Sequence, residues 1–282
     1  MSQMRRLILL SAILACTGRA DVTAQVAPSV HVYRVADNDT LRLHVFEPEA
    51  TDGISRAAVL LYHGGGWSVG APEWTFGAAR GFAEQGLVAI SVQYRLSGSA
   101  WTPIDALEDV CESVRWVRRN SLRLGIDSTR IAGHGVSAGG HLIASTATVG
   151  CPNSGGSERP VPDLLLLWSP ALDVTGDGWF VRQLRGEAEA IDVSPAQHVH
   201  AGTPPTSIVH GDKDTLTPLA GVRFYCERVR DFGTECELNV YEGVGHLLTR
   251  NLANQESDFD PDPAARAAGV ARHNAFLRTR GF

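Results

Sequence analysis

Apolar and polar residues alternate with a period of two over residues 31–35 and 41–46, which predicts two antiparallel strands. Beyond them the rhythm changes. Residues 57–62, 87–93, 130–134, 163–168, 206–210 and 236–241 are short continuous apolar runs, the form taken by strands buried on both faces. Helical spacing fills most of the intervals. A helix starting after Pro103 places Leu107, Val110, Cys111, Val114 and Val117 on one side and Arg115, Arg118 and Arg119 on the other. A second, over 218–231, turns Val222, Tyr225, Cys226 and Val229 inward, and a third covers 264–280. Strand and helix in alternation give an α/β class, with a mostly parallel central sheet of about eight strands and helices on both faces. There is no internal repeat, and only 151–162 reads as loose.

With 44% hydrophobic and 20% charged residues in 282, the chain has the apolar content for one sizeable core. Residues 25–282 are expected to form a single catalytic domain. Residues 1–24 differ: Arg5-Arg6, an apolar run over 7–15 and then small residues form a secretory signal pattern. That run is too short to span a bilayer. Val22-Thr23-Ala24 suits ordinary cleavage, and Ile13-Leu14-Ala15-Cys16 is the alternative, a lipoprotein box that anchors the product through Cys16. Export, to the periplasm or medium, is the expectation. A formal net charge of −6 argues against a nucleic-acid partner.

Four cysteines lie beyond the leader. An even number in an oxidising compartment favours disulfides. Cys226 in a helix and Cys236 at the start of the next strand suit a local bridge, leaving Cys111 with Cys151; four buried free thiols are the alternative.

The chemistry concentrates at predicted strand ends. Gly135-Val136-Ser137-Ala138-Gly139 follows the run at 130–134 and precedes a helix-forming segment, as in a nucleophile elbow, where a sharp turn holds a serine hydroxyl clear of its neighbours. His63-Gly64-Gly65-Gly66-Trp67 follows the strand ending at Tyr62, and consecutive glycines let backbone N–H groups converge on a developing oxyanion. His210-Gly211-Asp212-Lys213-Asp214 and Gly245-His246 follow two later strands. The carboxyl ends of parallel strands share one edge, so Ser137, Asp214 and His246 are expected to converge there.

These motifs, with Tyr94-Arg95 and Gly139-Gly140-His141, resemble the α/β-hydrolases, specifically the HGGG-bearing esterases and lipases. The resemblance covers nearly the whole chain after the leader. It implies Ser137 as nucleophile, His246 as general base and Asp214 as the carboxylate orienting it. The N–H groups of Gly65, Gly66 and Ala138 become the oxyanion hole, and neither metal nor organic cofactor is required. Hormone-sensitive-lipase-like carboxylesterases share HGGG but carry an N-terminal helical cap, for which 25–62 leaves no room. The chain is more similar to the uncapped feruloyl/acetyl-xylan esterase branch. That similarity implies a small-molecule or polysaccharide ester as substrate, with a generalist short-chain carboxylesterase as the alternative. A peptidase with the same triad needs an added domain, and a silent binding module lacks a triad member. Oligomeric state is left open.

Several residues compete for roles. Asp212 shares the loop of Asp214, and Asp173 follows the strand ending at Trp168. His63 is expected to hold the glycine loop, and His134 and His141 to pack around the elbow. Arg95 and Asp109 are expected to form a structural ion pair, because similar esterases carry Tyr-Arg after this strand and an aspartate in the next helix; a solvated pair is the alternative. Trp67, Trp74, Trp101 and Trp179 lie near strand ends, with Trp67 and Trp179 the candidate substrate contacts; Trp116 is assigned to the core. Asp258, Asp260 and Asp262 do not make a calcium loop of the EF-hand type, because Pro263 and Gly269 stand where glycine and glutamate are needed.

Overall fold

The computed structural model describes residues 27–36, 39–49, 55–152 and 157–282. The leader expected over residues 1–24, with Cys16, lies outside them. Eight strands form one sheet: β1 (Ser29–Ala36), β2 (Asp39–Phe46), β3 (Arg56–Tyr62), β4 (Val88–Val92), β5 (Ile126–Val136), β6 (Leu164–Trp168), β7 (Thr206–Gly211) and β8 (Cys236–Tyr241). Their order is β1-β2-β4-β3-β5-β6-β7-β8. β1 and β2 pair antiparallel with each other, β2 antiparallel with β4, and the remaining pairs are parallel.

Each buried run splits its side chains between two helical layers. Along β3, Ala58, Leu60 and Tyr62 face the cluster containing residues of α2 (Pro103–Arg119), α3 (Ala138–Thr148) and α5 (Leu219–Asp231). Ala57, Val59 and Leu61 face α1 (Phe76–Ala83) and α6 (Pro263–Arg278). Continuous hydrophobicity was therefore the correct signature of strands covered on both sides. A further short helix, α4 (Gly178–Leu184), lies between β6 and β7.

Helix α2 starts at a capping box of Thr102 and Asp105 with Pro103 in the first turn. Its predicted apolar face is buried. The opposite face departs from the simple amphipathic pattern, since Arg115 is only 6% exposed and Arg118 donates to the carbonyls of Arg159 and Val161 and to Asp163. Long guanidinium side chains here fasten a loop rather than a solvated surface. Trp116 is half-buried, tilted against His31 with Arg123 over its ring. Disulfides join Cys111 to Cys151 and Cys226 to Cys236.

The topology fixes where chemistry can sit. The chain leaves β3 to build β4 on one side and β5 on the other, so the loops after β3 and β5 diverge from adjacent strand ends, with Tyr62 opposite Gly135. Such a switch point opens a crevice at the carboxyl edge of the sheet.

Candidate active site

Ser137 sits between the end of β5 and the start of α3 with φ 50° and ψ −116°. That backbone conformation is strained for a residue with a Cβ. Neighbours hold it: Ser137 N–H donates to the Trp168 carbonyl at 2.9 Å, and its own carbonyl accepts from His141 N–H at 3.1 Å. Close approach explains a glycine two residues on, because a Cβ at Gly139 would stand 2.3 Å from the Tyr62 carbonyl oxygen. The elbow is thereby pressed against the end of β3.

Asp214 follows β7 and His246 follows β8, and both are buried. His246 Nε2 lies 3.0 Å from Ser137 Oγ, and His246 Nδ1 lies 2.9 Å from Asp214 Oδ2. With Nδ1–H donated to the carboxylate, Nε2 is left to accept the serine proton. Asp214 is well supplied with donors: Oδ1 accepts the N–H groups of Leu216 and Thr217, and Oδ2 the Thr217 hydroxyl at 2.8 Å. Burial alone would raise its carboxyl, but the hydrogen bond and charge of His246, with the Thr217 N–H, hold it below the usual carboxylate value. The site can therefore keep Asp214 ionised beside the imidazole.

Facing the serine is the glycine loop. Gly65 and Gly66 have φ values of 115° and 55°, the left-handed half of backbone space that glycine enters freely. Among the described residues the N–H groups of Gly65, Gly66 and Ala138 donate to no protein acceptor, which leaves them available to an oxyanion. Gly64 packs against the nucleophile, since a Cβ there would lie 3.2 Å from Ser137 Cβ. His63 holds the loop as expected: its Nδ1 lies 2.6 Å from the Gly64 carbonyl oxygen, its ring stacks on Tyr94 at 4.3 Å, and Tyr94 OH donates to the His63 carbonyl.

Trp67 requires a correction. It was expected to touch substrate, but it is 3% exposed, packs on Phe180, and donates Nε1–H to His141 Nδ1 at 3.2 Å. It stands at a positive φ of 63°, and its indole is buried against His141 and Phe180 instead of lying in the cleft. Trp179, half exposed on α4, donates Nε1–H to the Gly66 carbonyl at 3.2 Å, and Gln183 Nε2 donates to the same oxygen at 2.8 Å. Trp74 is exposed edge-on to His63, and Trp101 carries the Arg95 guanidinium over its ring.

The competing carboxylates serve local structure. Asp173 caps a turn through Thr175, and Asp212 accepts Gly243 N–H beside Lys213. Asp262 caps α6, Asp260 pairs with Arg250, and Asp258 accepts from Asn251. His141 bridges Trp67 to the Val193 carbonyl, and His134 packs against Phe82 and His273. The Arg95–Asp109 pair is bidentate, at 2.8 and 3.0 Å, and buried. Ser169, which accepts Leu247 N–H at 3.1 Å, was not singled out from the sequence. Neither was Gln255, whose buried carboxamide reaches both the acid and histidine loops.

The alpha/beta hydrolase fold family matches residues 59–250, a stretch that contains the glycine loop, the elbow, Asp214 and His246. The chain belongs to that family. Within it, the chain is similar to carboxylesterase NlhH of Mycobacterium tuberculosis, 37% identical over 113 residues, which are 40% of this chain and 34% of that one. It thus spans about a third of the length of that curated relative. Ethyl acetate hydrolase of Pseudomonas putida is 28% identical over 236 residues, covering 76% of this chain and 73% of the relative. Among solved structures, a thermophilic esterase from the planctomycete Thermogutta terrifontis with butyrate bound superposes with a TM-score of 0.81 at 29% identity, over 92% of this chain and 96% of the other. The same esterase phosphoramylated by tabun gives 0.80 at 31% identity over the same shares.

Proposed function

We infer that this α/β-hydrolase is a serine carboxylesterase working through an acyl-enzyme. The observation that carries the reading is the run from Asp214 Oδ2 through His246 to Ser137 Oγ, at 2.9 and 3.0 Å, facing free N–H groups on the glycine loop. His246 Nε2 takes the hydroxyl proton as Oγ bonds to the ester carbonyl carbon. The negative charge that develops on the carbonyl oxygen is met by Gly65, Gly66 and Ala138 N–H. Collapse expels the alcohol, which takes the proton from His246. Water, deprotonated by the same imidazole, then attacks the acyl-enzyme, and the acid leaves as Ser137 recovers its proton.

Esters of short acyl groups are the proposed substrates. Support comes from the ethyl acetate hydrolase relative and from the structural neighbour that holds butyrate. Hydrolysis of p-nitrophenyl acetate and butyrate tests this, with Ser137→Ala as the inactive control; no turnover by the wild-type protein rejects it.

Acyl groups on carbohydrate, as in the feruloyl/acetyl-xylan esterase branch, form a second reading. It is favoured by the half-exposed indole of Trp179 beside the Gly66 carbonyl, an aromatic face of the kind on which a sugar ring or an aromatic acid stacks. Activity on butyrate esters with none on acetylated xylan removes it. Export is part of the proposal, supported by the two disulfides, which belong to oxidising compartments. Mass spectrometry of the mature N-terminus distinguishes ordinary cleavage from an anchor on Cys16.

A further inference from the structure

We propose that Gln255 is a positioning residue that clamps the acid loop to the histidine loop and so sets the relation between Asp214 and His246. The proposal rests on the esterase reading above.

Gln255 lies in a stretch that is otherwise exposed: residues 252–254 and 256–260 face outward, while Gln255 is 4% exposed. A buried carboxamide must satisfy its polar atoms within the protein. Gln255 does so only with backbone groups beside the triad. Its Oε1 accepts the N–H of His246 at 2.8 Å and the N–H of Thr215 at 3.2 Å, and its Nε2 donates to the Lys213 carbonyl at 2.9 Å. Lys213 and Thr215 flank Asp214 on either side. One planar group therefore fixes the chain before the acid, the chain after it, and the peptide that carries the base.

The surrounding sequence makes room for it. A Cβ at Gly245 would lie 2.4 Å from Gln255 Cδ, so the residue before the histidine has no side chain where the carboxamide sits. The loop carrying Gln255 is closed at its base by the Thr249–Pro261 bridge, the Arg250–Asp260 ion pair and the bond from Asp262 N–H to the Leu248 carbonyl. That closure holds the carboxamide inward.

Gln255 touches neither substrate nor reacting atoms. Its effect passes through geometry: His246 must keep Nδ1 on Asp214 while Nε2 serves first Ser137 and then the leaving alcohol. Misplacement of a reacting group by an ångström costs about 100-fold in rate. Removal of the clamp is therefore expected to act on kcat and to leave substrate binding alone.

The test is steady-state hydrolysis of p-nitrophenyl butyrate by wild type, Gln255→Met and Gln255→Glu, with rates referred to the folded fraction measured by circular dichroism. Methionine keeps the volume and loses all three bonds. Glutamate keeps one oxygen for the two N–H donors and sets its other oxygen, with no hydrogen to donate, against the Lys213 carbonyl. The expected result is kcat lowered about 10- to 100-fold in Gln255→Met, with KM within about twofold of wild type, and an intermediate kcat in Gln255→Glu. Wild-type kcat per folded molecule in whichever variant folds overturns the clamp, as does a loss confined to KM. Absence of wild-type turnover overturns the esterase reading instead, and the clamp's catalytic role with it.

Discussion

Trp179 places its indole beside the oxyanion loop, with Nε1 3.2 Å from the carbonyl oxygen of Gly66. Gln183, one turn further along α4, donates to the same oxygen. Two hydrogen bonds thus converge on one carbonyl to fasten the short helix after β6 to the glycine loop, and half of the Trp179 surface is left exposed beside that loop. Trp179→Ala is expected to raise KM for butyrate esters several-fold more than for acetate esters, because a longer acyl group loses more contact with the ring. Since Trp179 is 50% exposed, thermal stability should change little. Equal KM changes for acetate and butyrate would remove Trp179 from substrate recognition.

Asp214→Asn offers a sharper probe of the site. The amide can occupy the same space, but its NH2 group competes with His246 Nδ1–H for orientation and stabilises the wrong tautomer. A loss of about 10⁴ in kcat is expected from the equivalent change in serine hydrolase triads. Asp173→Asn, which alters a turn with Thr175 and a contact from the Ser194 hydroxyl, should retain wild-type kcat. The paired measurement decides between the two carboxylates in one assay.

Much of this geometry was legible in the sequence because it depends on local rules. Tyr62-His63-Gly64-Gly65-Gly66 and Gly135-Val136-Ser137 each join an apolar run to glycines, and parallel-sheet topology then brings strand ends together. Trp67 and Gln255 were not legible, for opposite reasons. A tryptophan beside a glycine loop has no sequence mark that tells cleft from core, and the residues that bury it, His141 and Phe180, lie far along the chain. Gln255 stands among Asn, Ser, Asp and Glu in a stretch whose polarity predicts solvent, and its burial arises from closure of the loop. Arg118 reads from the sequence only as part of a polar helix face, since the carbonyls and the carboxylate it binds lie 10 to 45 residues away.

Acid should unfold the protein in a definite window. Burial holds His134, His141 and His210 down to about 4, and burial with the neighbouring His134 holds His273 to about 3. Above pH 6.5 these rings are neutral in both states, so they favour neither. As pH falls below 6.5 the unfolded chain binds protons that the folded one refuses, and stability drops until about pH 4, where the folded-state groups titrate. Each such histidine contributes a slope of about 1.4 kcal/mol per pH unit within the window. Depression of the Asp214 carboxyl adds a further loss only below about pH 3.9. His273→Phe, in a pocket of Trp168 and His134, should remove one proton from the slope of unfolding free energy between pH 6 and 4.5. An unchanged slope in urea titrations at those pH values counts against the assignment.

The Arg95–Asp109 pair is a structural element rather than a surface contact. Both groups are buried, and Arg34 approaches Asp109 Oδ1 at 2.9 Å from β1. Asp109→Ala leaves Arg95, only 5% exposed, without its bidentate partner. A loss of about 2–3 kcal/mol in unfolding free energy is expected, short of the about 3–5 kcal/mol of a fully stranded buried charge because Asp105 and Glu108 still stand 3.3 and 3.5 Å from the guanidinium. A solvated pair would cost under about 1 kcal/mol, so a urea titration separates the alternatives.

The two disulfides should contribute unequally. Cys111 and Cys151 are 40 residues apart and join α2 to the segment after α3, whereas Cys226 and Cys236 close a span of 10 within one helix–strand connection. Chain-entropy estimates give about 4 kcal/mol for the longer loop and about 2.7 kcal/mol for the shorter. Packing does not set the order, because Cys111, Cys226 and Cys236 are all buried in the main core cluster, and loop entropy decides it. The double variant Cys111→Ala/Cys151→Ala is therefore expected to lose more unfolding free energy than Cys226→Ala/Cys236→Ala, measured in urea without reductant. With reductant present, each remaining bridge opens and the two variants should converge towards the fully reduced wild type. A larger loss from the shorter loop would mean that strand β8 depends on its tether to α5 more than loop entropy allows.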